Sequence, residues 1–100
     1  MHLHILGISG TFMSALALLA REAGFKVTGC DANCYPPVSD LLEAKGIEWV
    51  EGYEESDLAL KADYVIVGNA IKRGMPVIEA VLDAGKKYTS GPQWLAENIL

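Results

Sequence analysis

The chain has 100 residues and carries 13 acidic against 8 basic side chains, which gives a formal net charge of −5 at pH 7. It is 51% hydrophobic and 21% charged, a balance typical of one folded domain rather than of a disordered or fibrous chain. Because binding to nucleic acid or to an anionic membrane depends on clustered positive charge, this composition argues against both as main partners.

The N-terminal part shows neither a signal peptide nor a membrane span. The longest nearly apolar stretch, residues 12–20, is far shorter than the ~20 residues that cross a bilayer, and no basic segment precedes an apolar core. Cys30 and Cys34 have a spacing that fits neither a redox motif nor a zinc site. We expect reduced thiols, no metal and a cytoplasmic location.

Short apolar runs alternate with segments of helical periodicity along the chain. Strands are predicted at residues 3–8, 25–30, 47–51, 64–67 and 87–89. Helices are predicted at residues 11–23, from a cap at Ser39 to a stop at Gly46, at 56–60, at 76–82, and at 92–100 after a start at Ser90. This alternation predicts an α/β fold: a Rossmann-like parallel five-stranded sheet of order 3-2-1-4-5 with helices on both faces.

The loop after the first strand is a candidate phosphate site. Residues 7–13 read Gly-Ile-Ser-Gly-Thr-Phe-Met, and their small residues let the backbone approach an anion at the start of a helix. A dinucleotide fingerprint requires glycine where Ser9 and Phe12 stand. The loop therefore indicates only a Gly-x-x-Gly phosphate site, and a plain strand-to-helix turn has the same pattern.

A second candidate lies at the carboxyl end of the second strand. Asp31 stands where an acid holds ribose hydroxyls in dinucleotide enzymes. It is equally suited to present its carboxylate and backbone to a base edge, or to be a solvated strand end. Tyr35 follows in the same loop, where its ring is able to cover a base.

A third loop, residues 68–74, follows the fourth strand. Asn69 offers both a donor and an acceptor, and Lys72 and Arg73 supply positive charge near a phosphate. An exposed basic turn is the alternative interpretation.

The remaining polar and aromatic residues favour structural roles. His2 and His4 share one face of the first strand, which suits a metal ligand pair but more often a structural histidine. Trp49 and Trp94 are interpreted as core or interface anchors. Since the chain has no nucleophile arrangement and no Walker A lysine loop, we predict no catalytic residue and no ATP site in these 100 residues.

Four segments together resemble the N-terminal domain of the Mur ligase family. They are residues 7–13, residues 27–33 with the Tyr-Pro-Pro at 35–37, residues 67–70 (Val-Gly-Asn-Ala) and residues 90–95 (Ser-Gly-Pro-Gln-Trp-Leu). The resemblance is greatest to members that join the tripeptide L-Ala-γ-D-Glu-meso-diaminopimelate to UDP-N-acetylmuramate in peptidoglycan recycling. Members that add L-alanine usually read Arg-Ala-Glu at positions 91–93, and they are the alternative.

The resemblance implies that this chain is the UDP-N-acetylmuramate-binding domain of a three-domain enzyme. A second domain would hold ATP and Mg²⁺ and a third would receive the peptide, so the chain alone is expected to be inactive and to need no cofactor. In the family, ATP phosphorylates the muramoyl carboxylate, and the peptide amine then attacks the acyl phosphate.

The resemblance also assigns roles by position. The diphosphate would contact Ser9, Gly10, Thr11, Phe12 and Met13 on one side and Asn69, Ala70 and Ile71 on the other. Asp31 and Ala32 would meet the uracil edge, with Tyr35 beside the uridine. The family commonly has cysteine or glycine at the position of Ser9 and a small residue at that of Cys30, so neither is expected to carry chemistry.

Two other classes of function stay open. The first is an NAD-binding or ligand-sensing Rossmann module, which Asp31 favours and Ser9 and Phe12 oppose. The second is a purely structural or interaction domain with Trp49 or Trp94 at its interface.

Overall fold

The computed structural model describes residues 1–32, 34–54, 57–69 and 71–99. In these residues the strands are β1 (His2–Leu6), β2 (Lys26–Asp31), β3 (Glu48–Glu51), β4 (Tyr64–Val67) and β5 (Tyr88–Ser90). The helices are α1 (Thr11–Glu22), α2 (Val38–Ala44), α3 (Asp57–Lys61), α4 (Pro76–Asp83) and α5 (Gly91–Asn98). None of these helices is long and apolar enough to cross a membrane.

The strands form one sheet in the order β3-β2-β1-β4-β5, with every neighbouring pair parallel. The predicted fold class is therefore confirmed. The chain moves outward from β1 to β3 on one side and then crosses back to β4 on the other side of β1. Because the strand order reverses between β1 and β4, a crevice opens at the carboxyl ends of these two strands.

Helices cover both faces of the sheet. On one face, Leu3 and Ile5 of β1 pack with residues of α1, α2 and α5. On the other face, Leu6 and Val65 pack with residues of α3 and α4. Trp94 of α5 belongs to the first layer, is 2% exposed, and meets the Phe25 ring edge-on with 5.4 Å between ring centroids. Trp94 is thus a core residue.

Most predicted ends of helices and strands differ from the observed ones by one or two residues, and the start of α2 needs a correction. Ser39 is not its N-cap: the helix begins at Val38 after Pro37, whose φ of −83° and ψ of −9° are already helical. The fixed ring of proline favours this conformation at a helix start. Ser39 lies buried in the first turn, and its amide donates to the Tyr35 carbonyl at 3.2 Å.

The predicted start of α5 is confirmed. The Ser90 side chain caps the helix by accepting from the Gln93 amide at 3.2 Å. The predicted helix limits at Ser56 and Leu100 lie outside the described residues.

Candidate functional site

A cavity of about 600 Å³ opens where the strand order reverses. It is lined by residues from the carboxyl ends of β1, β2 and β4 and from the segments that follow β3 and β5: Gly7, Ser9, Gly10, Thr11, Phe12, Met13, Asp31, Tyr53, Val67, Gly68, Asn69, Gly91 and Pro92. This is the usual ligand position in open parallel sheets.

The turn between β1 and α1 is held tightly against β2. The amides of Gly7 and Ile8 both donate to the Cys30 carbonyl, at 2.8 and 3.1 Å. Gly7 has a φ of +85°, in the left-handed region that favours glycine. The Ile8 side chain fills the space beside Gly29, where a Cβ would lie only 2.5 Å from Ile8 Cδ1. The turn therefore depends on two glycines, Gly7 directly after β1 and Gly29 within β2.

Helix α1 presents the amides of its first turn at the cavity. Gly10 is the N-cap in an extended conformation, without a side-chain cap, and the first turn carries no acidic residue. The first amides of a helix have no acceptor within it, and they form the positive end of the helix dipole. A phosphate group is the kind of anion that such a helix end binds.

The opposite wall of the cavity comes from the end of β4. The Gly68 amide donates to the Leu6 carbonyl at 3.0 Å, and a Cβ on Gly68 would lie 2.9 Å from that oxygen. Only glycine therefore lets the chain leave β4 this close to β1. Asn69 follows, exposed and on the cavity wall.

Asp31 and Tyr53 form the polar side of the cavity. Asp31 is 8% exposed, and its Oδ2 accepts from the Ser9 amide at 3.0 Å. Tyr53 lines the same cavity as Asp31. Burial, followed by the negative charge of Asp31, raises the pKa of the Tyr53 phenol. The phenol therefore keeps its proton at neutral pH and remains a hydrogen-bond donor.

The structure brings most of the predicted site residues together. Those that line the cavity are Ser9, Gly10, Thr11, Phe12, Met13, Asp31 and Asn69. Ile71 lines a neighbouring cavity instead, and its Cδ1 lies 3.9 Å from the Cβ position of Gly7. Ala32 and Tyr35 are exposed and lie off the cavity wall, so their contact with uridine stays a prediction. Ala70 lies outside the described residues.

Nothing in the sequence patterns above singles out Tyr53. The strand order supplies a signal, because β3 lies beside β2 and Asp31 pairs with Glu51. A residue two positions past the end of β3 must therefore lie near the carboxyl end of β2. Gly91 and Pro92 also line the cavity, although the sequence patterns assigned neither residue to a ligand.

The basic pair after β4 lies beside a different cavity. Lys72 and Arg73 line the neighbouring one, of about 650 Å³. Arg73 is bound to Glu79 through Nε–Oε2 at 2.6 Å and Nη2–Oε1 at 3.1 Å. The hydrogen bonds from Arg73 lower the pKa of the Glu79 carboxyl to about 2. Arg73 therefore binds to α4 and does not line the first cavity.

His2 and His4 have a structural partner in common. His2 Nε2 lies 2.8 Å and His4 Nδ1 lies 2.7 Å from the Thr28 hydroxyl. His4 is fully buried, and burial, with a smaller effect of His2, lowers its pKa to about 4. His4 Nε2 has no hydrogen-bond partner within the described residues. The pair is thus part of the packing between β1 and β2.

The two cysteines are buried free thiols. Burial raises the pKa of Cys30 to about 12 and also raises that of Cys34. Since the thiolate is the reactive form, neither thiol is activated as a nucleophile.

Known proteins provide an independent comparison. A family model described as "Mur ligase family, catalytic domain" matches residues 2–100. The chain is 57% identical over 100 residues, its full length, to the UDP-N-acetylmuramate–L-alanyl-gamma-D-glutamyl-meso-2,6-diaminoheptandioate ligase of Escherichia coli (strain K12). It is 60% identical to a solved murein peptide ligase of Psychrobacter arcticus 273-4, with a TM-score of 0.93 over 99% of this chain and 21% of that one.

Relatives with another named activity match less well. The UDP-N-acetylmuramate–L-alanine ligase of Lactobacillus delbrueckii subsp. bulgaricus is 35% identical over 94 residues, which cover 94% of this chain and 21% of that relative. The chain spans 22% of the length of the E. coli relative. Because the family model covers all but the first residue, and relatives match along nearly the whole chain, the chain belongs to the Mur ligase family.

Proposed function

We propose that this chain is the UDP-N-acetylmuramate-binding domain of a longer ATP-dependent ligase. In the proposed reaction, the longer enzyme joins the tripeptide L-Ala-γ-D-Glu-meso-diaminopimelate to UDP-N-acetylmuramate in peptidoglycan recycling. The chain itself contributes binding and orientation of the nucleotide sugar and no catalytic residue.

The observation that carries this proposal is the amide-lined end of α1 at the crevice between β1 and β4. A diphosphate bound there is held by backbone N–H groups and by the helix dipole. No basic side chain lines this cavity among the described residues, so the backbone is the source of positive charge. This explains how a chain of net charge −5 is suited to hold an anionic ligand.

Sequence identity supports the tripeptide, rather than L-alanine, as the group that the longer enzyme adds. Identity is 57% to the E. coli relative named for the tripeptide and 35% to the Lactobacillus relative named for L-alanine. The segment Gly91-Pro92-Gln93 also departs from the Arg-Ala-Glu expected of the second group. Two of these three residues line the cavity, so the departure falls at the proposed binding site.

ATP and Mg²⁺ are assigned to the remainder of the longer protein, which we propose to be cytoplasmic. The β1–α1 turn has no lysine between residues 7 and 13, whereas a P-loop needs one to reach the β- and γ-phosphates. The described residues also contain no group of three or more His, Cys, Asp or Glu that is arranged to hold a metal ion.

The test is an NMR titration of the isotope-labelled chain with UDP-N-acetylmuramate, UDP and NAD in parallel. NMR is chosen because it detects binding at millimolar affinity, which a domain without its partner domains is expected to have. We expect both uridine ligands to shift the resonances of residues 9–13, Asp31 and Asn69, and NAD to leave them unchanged. Shifts with NAD alone would instead favour a dehydrogenase module. If none of the three ligands shifted these resonances, the result would contradict binding by this chain.

A further inference from the structure

We propose that the neighbouring cavity is a second ligand site, for a small carboxylate that carries an apolar chain. Its volume of about 650 Å³ lies in the usual range for small-molecule sites. Its lining residues come from β4, the turn after β4, α4, β5 and the start of α5. The proposal goes beyond the proposed function, because it concerns a cavity that the diphosphate does not need.

Part of the wall of the neighbouring cavity is apolar. Val67 at the end of β4, Ile71 in the turn and Leu82 of α4 all line it. These three side chains pack against the apolar layer between the sheet and α4, yet each is only half-buried. Covering their remaining surface with an apolar chain would remove it from water, which is favourable in proportion to the area covered.

Lys72 supplies the positive charge of the neighbouring cavity. It is exposed in the turn after β4, and its ammonium group forms no ion pair with a described residue. Arg73 also lines the cavity, but its guanidinium is bound to Glu79. No Asp or Glu is among the described residues that line this cavity. A single uncompensated positive charge favours a singly charged carboxylate as the ligand group.

Neutral hydrogen-bond donors line the same cavity. The Ser90 hydroxyl accepts from the Gln93 amide at 3.2 Å, so its own proton is available to another acceptor. The side-chain amides of Asn69 and Gln93 add N–H donors on exposed residues. A carboxylate accepts several hydrogen bonds, and these groups would complement the one from Lys72.

The exit of β4 separates this cavity from the first one. Val67, Gly68 and Asn69 line both cavities. The Gly68 amide donates to the Leu6 carbonyl at 3.0 Å, and the Gly68 carbonyl accepts from the Ile71 amide at 3.1 Å. Because these bonds hold the wall between the cavities in place, we expect both cavities to be occupied at the same time.

The experiment is an NMR titration of the isotope-labelled chain with hexanoate, with and without saturating UDP. Acetate keeps the charge without the apolar chain, and hexanamide keeps the chain without the charge. We expect hexanoate to bind more tightly than either and to shift the methyl resonances of Ile71 and Leu82, whether or not UDP is bound. Lys72→Gln should weaken hexanoate about ten-fold, the loss typical of one hydrogen bond to a charged group. Lys45→Gln is the matched control, because Lys45 is exposed after α2 on the other face of the sheet.

Four results would overturn the proposal. Equal affinity for hexanoate and hexanamide would show that the charge has no part in binding, and so would unchanged hexanoate affinity in Lys72→Gln. Displacement of hexanoate by UDP-N-acetylmuramate but not by UDP would show that the cavity holds the sugar half of the nucleotide ligand. If hexanoate shifted neither methyl resonance at any concentration, the cavity would not be a site for this class of ligand.

Discussion

Gly91, the first residue of α5, packs against Phe12 of α1 without room for a side chain. A Cβ on Gly91 would lie 2.8 Å from Phe12 Cε2 and 2.9 Å from Met13 Sδ. All three residues line the cavity, so the approach of α5 to α1 shapes the site directly. The Ser-Gly-Pro-Gln-Trp-Leu segment therefore shapes the site in two ways. Its Gly91 lines the cavity, and the same residue packs against the Phe12 ring that forms part of the cavity wall.

Gly91→Ala should lower both stability and binding. The added methyl group must displace the half-exposed Phe12 ring and the buried Met13 sulfur, so we expect a loss of about 1–3 kcal/mol in the free energy of unfolding. The displaced ring changes the cavity wall, and UDP affinity should fall. Urea unfolding and NMR titration measure the two effects, with the exposed Glu97→Ala on the same helix as the control. Unchanged UDP affinity would contradict a role for this contact in the site.

Thr11→Pro tests whether an amide at the start of α1 binds the diphosphate. Proline is tolerated at the first helical position, and Gly10 already has the extended φ of −60° and ψ of 149° that a following proline requires. We therefore expect a stable fold and weaker binding of UDP. Thr11→Ala is the matched control, because it removes the side chain and keeps the amide. Equal affinities of the two variants would place the phosphates elsewhere.

His4 makes stability depend on pH. Its pKa is about 4 in the folded chain, against 6.5 ordinarily, so the unfolded chain binds the proton more readily between these values. The free energy of unfolding is therefore highest above about pH 6.5, and it decreases as the pH falls towards 4. We expect the free energy of unfolding to fall by about 2 kcal/mol between pH 7 and pH 5.

The measurement for His4 is urea unfolding at a series of pH values. His4→Asn keeps an oxygen that is able to accept from Thr28, but it does not titrate, so its pH dependence should be shallower than that of the unmodified chain. Its lower absolute stability does not affect this comparison of slopes. Parallel slopes would show that another group causes the pH dependence.

Arg73→Ala should release Glu79 and leave nucleotide binding intact. Arg73 is 75% exposed and lines the neighbouring cavity, and exposed ion pairs contribute little to stability. We expect the pKa of the Glu79 carboxyl to rise from about 2 towards its ordinary value, measured by NMR pH titration. A loss of about ten-fold in UDP affinity would show instead that Arg73 contacts the phosphates.

Local patterns in the sequence were enough to predict the order of strands and helices and the region of the site. Apolar runs, glycine stops and prolines are local signals, and the alternation of strands with helices restricts the sheet to few topologies. The segment at residues 7–13, Asp31 and Asn69 were recognisable because each follows a predicted strand, and the carboxyl ends of parallel strands meet at one edge.

The contacts that these residues make depend on how the strands and helices pack together. Tyr53 lies 22 residues from Asp31 in the sequence, and only the pairing of β3 with β2 brings them together. The closeness of Gly91 to Phe12 depends on how α5 packs against α1, and the partner of Arg73 depends on where α4 begins. Such contacts join residues distant in the chain, and their distances depend on packing, which no local pattern of residue types records.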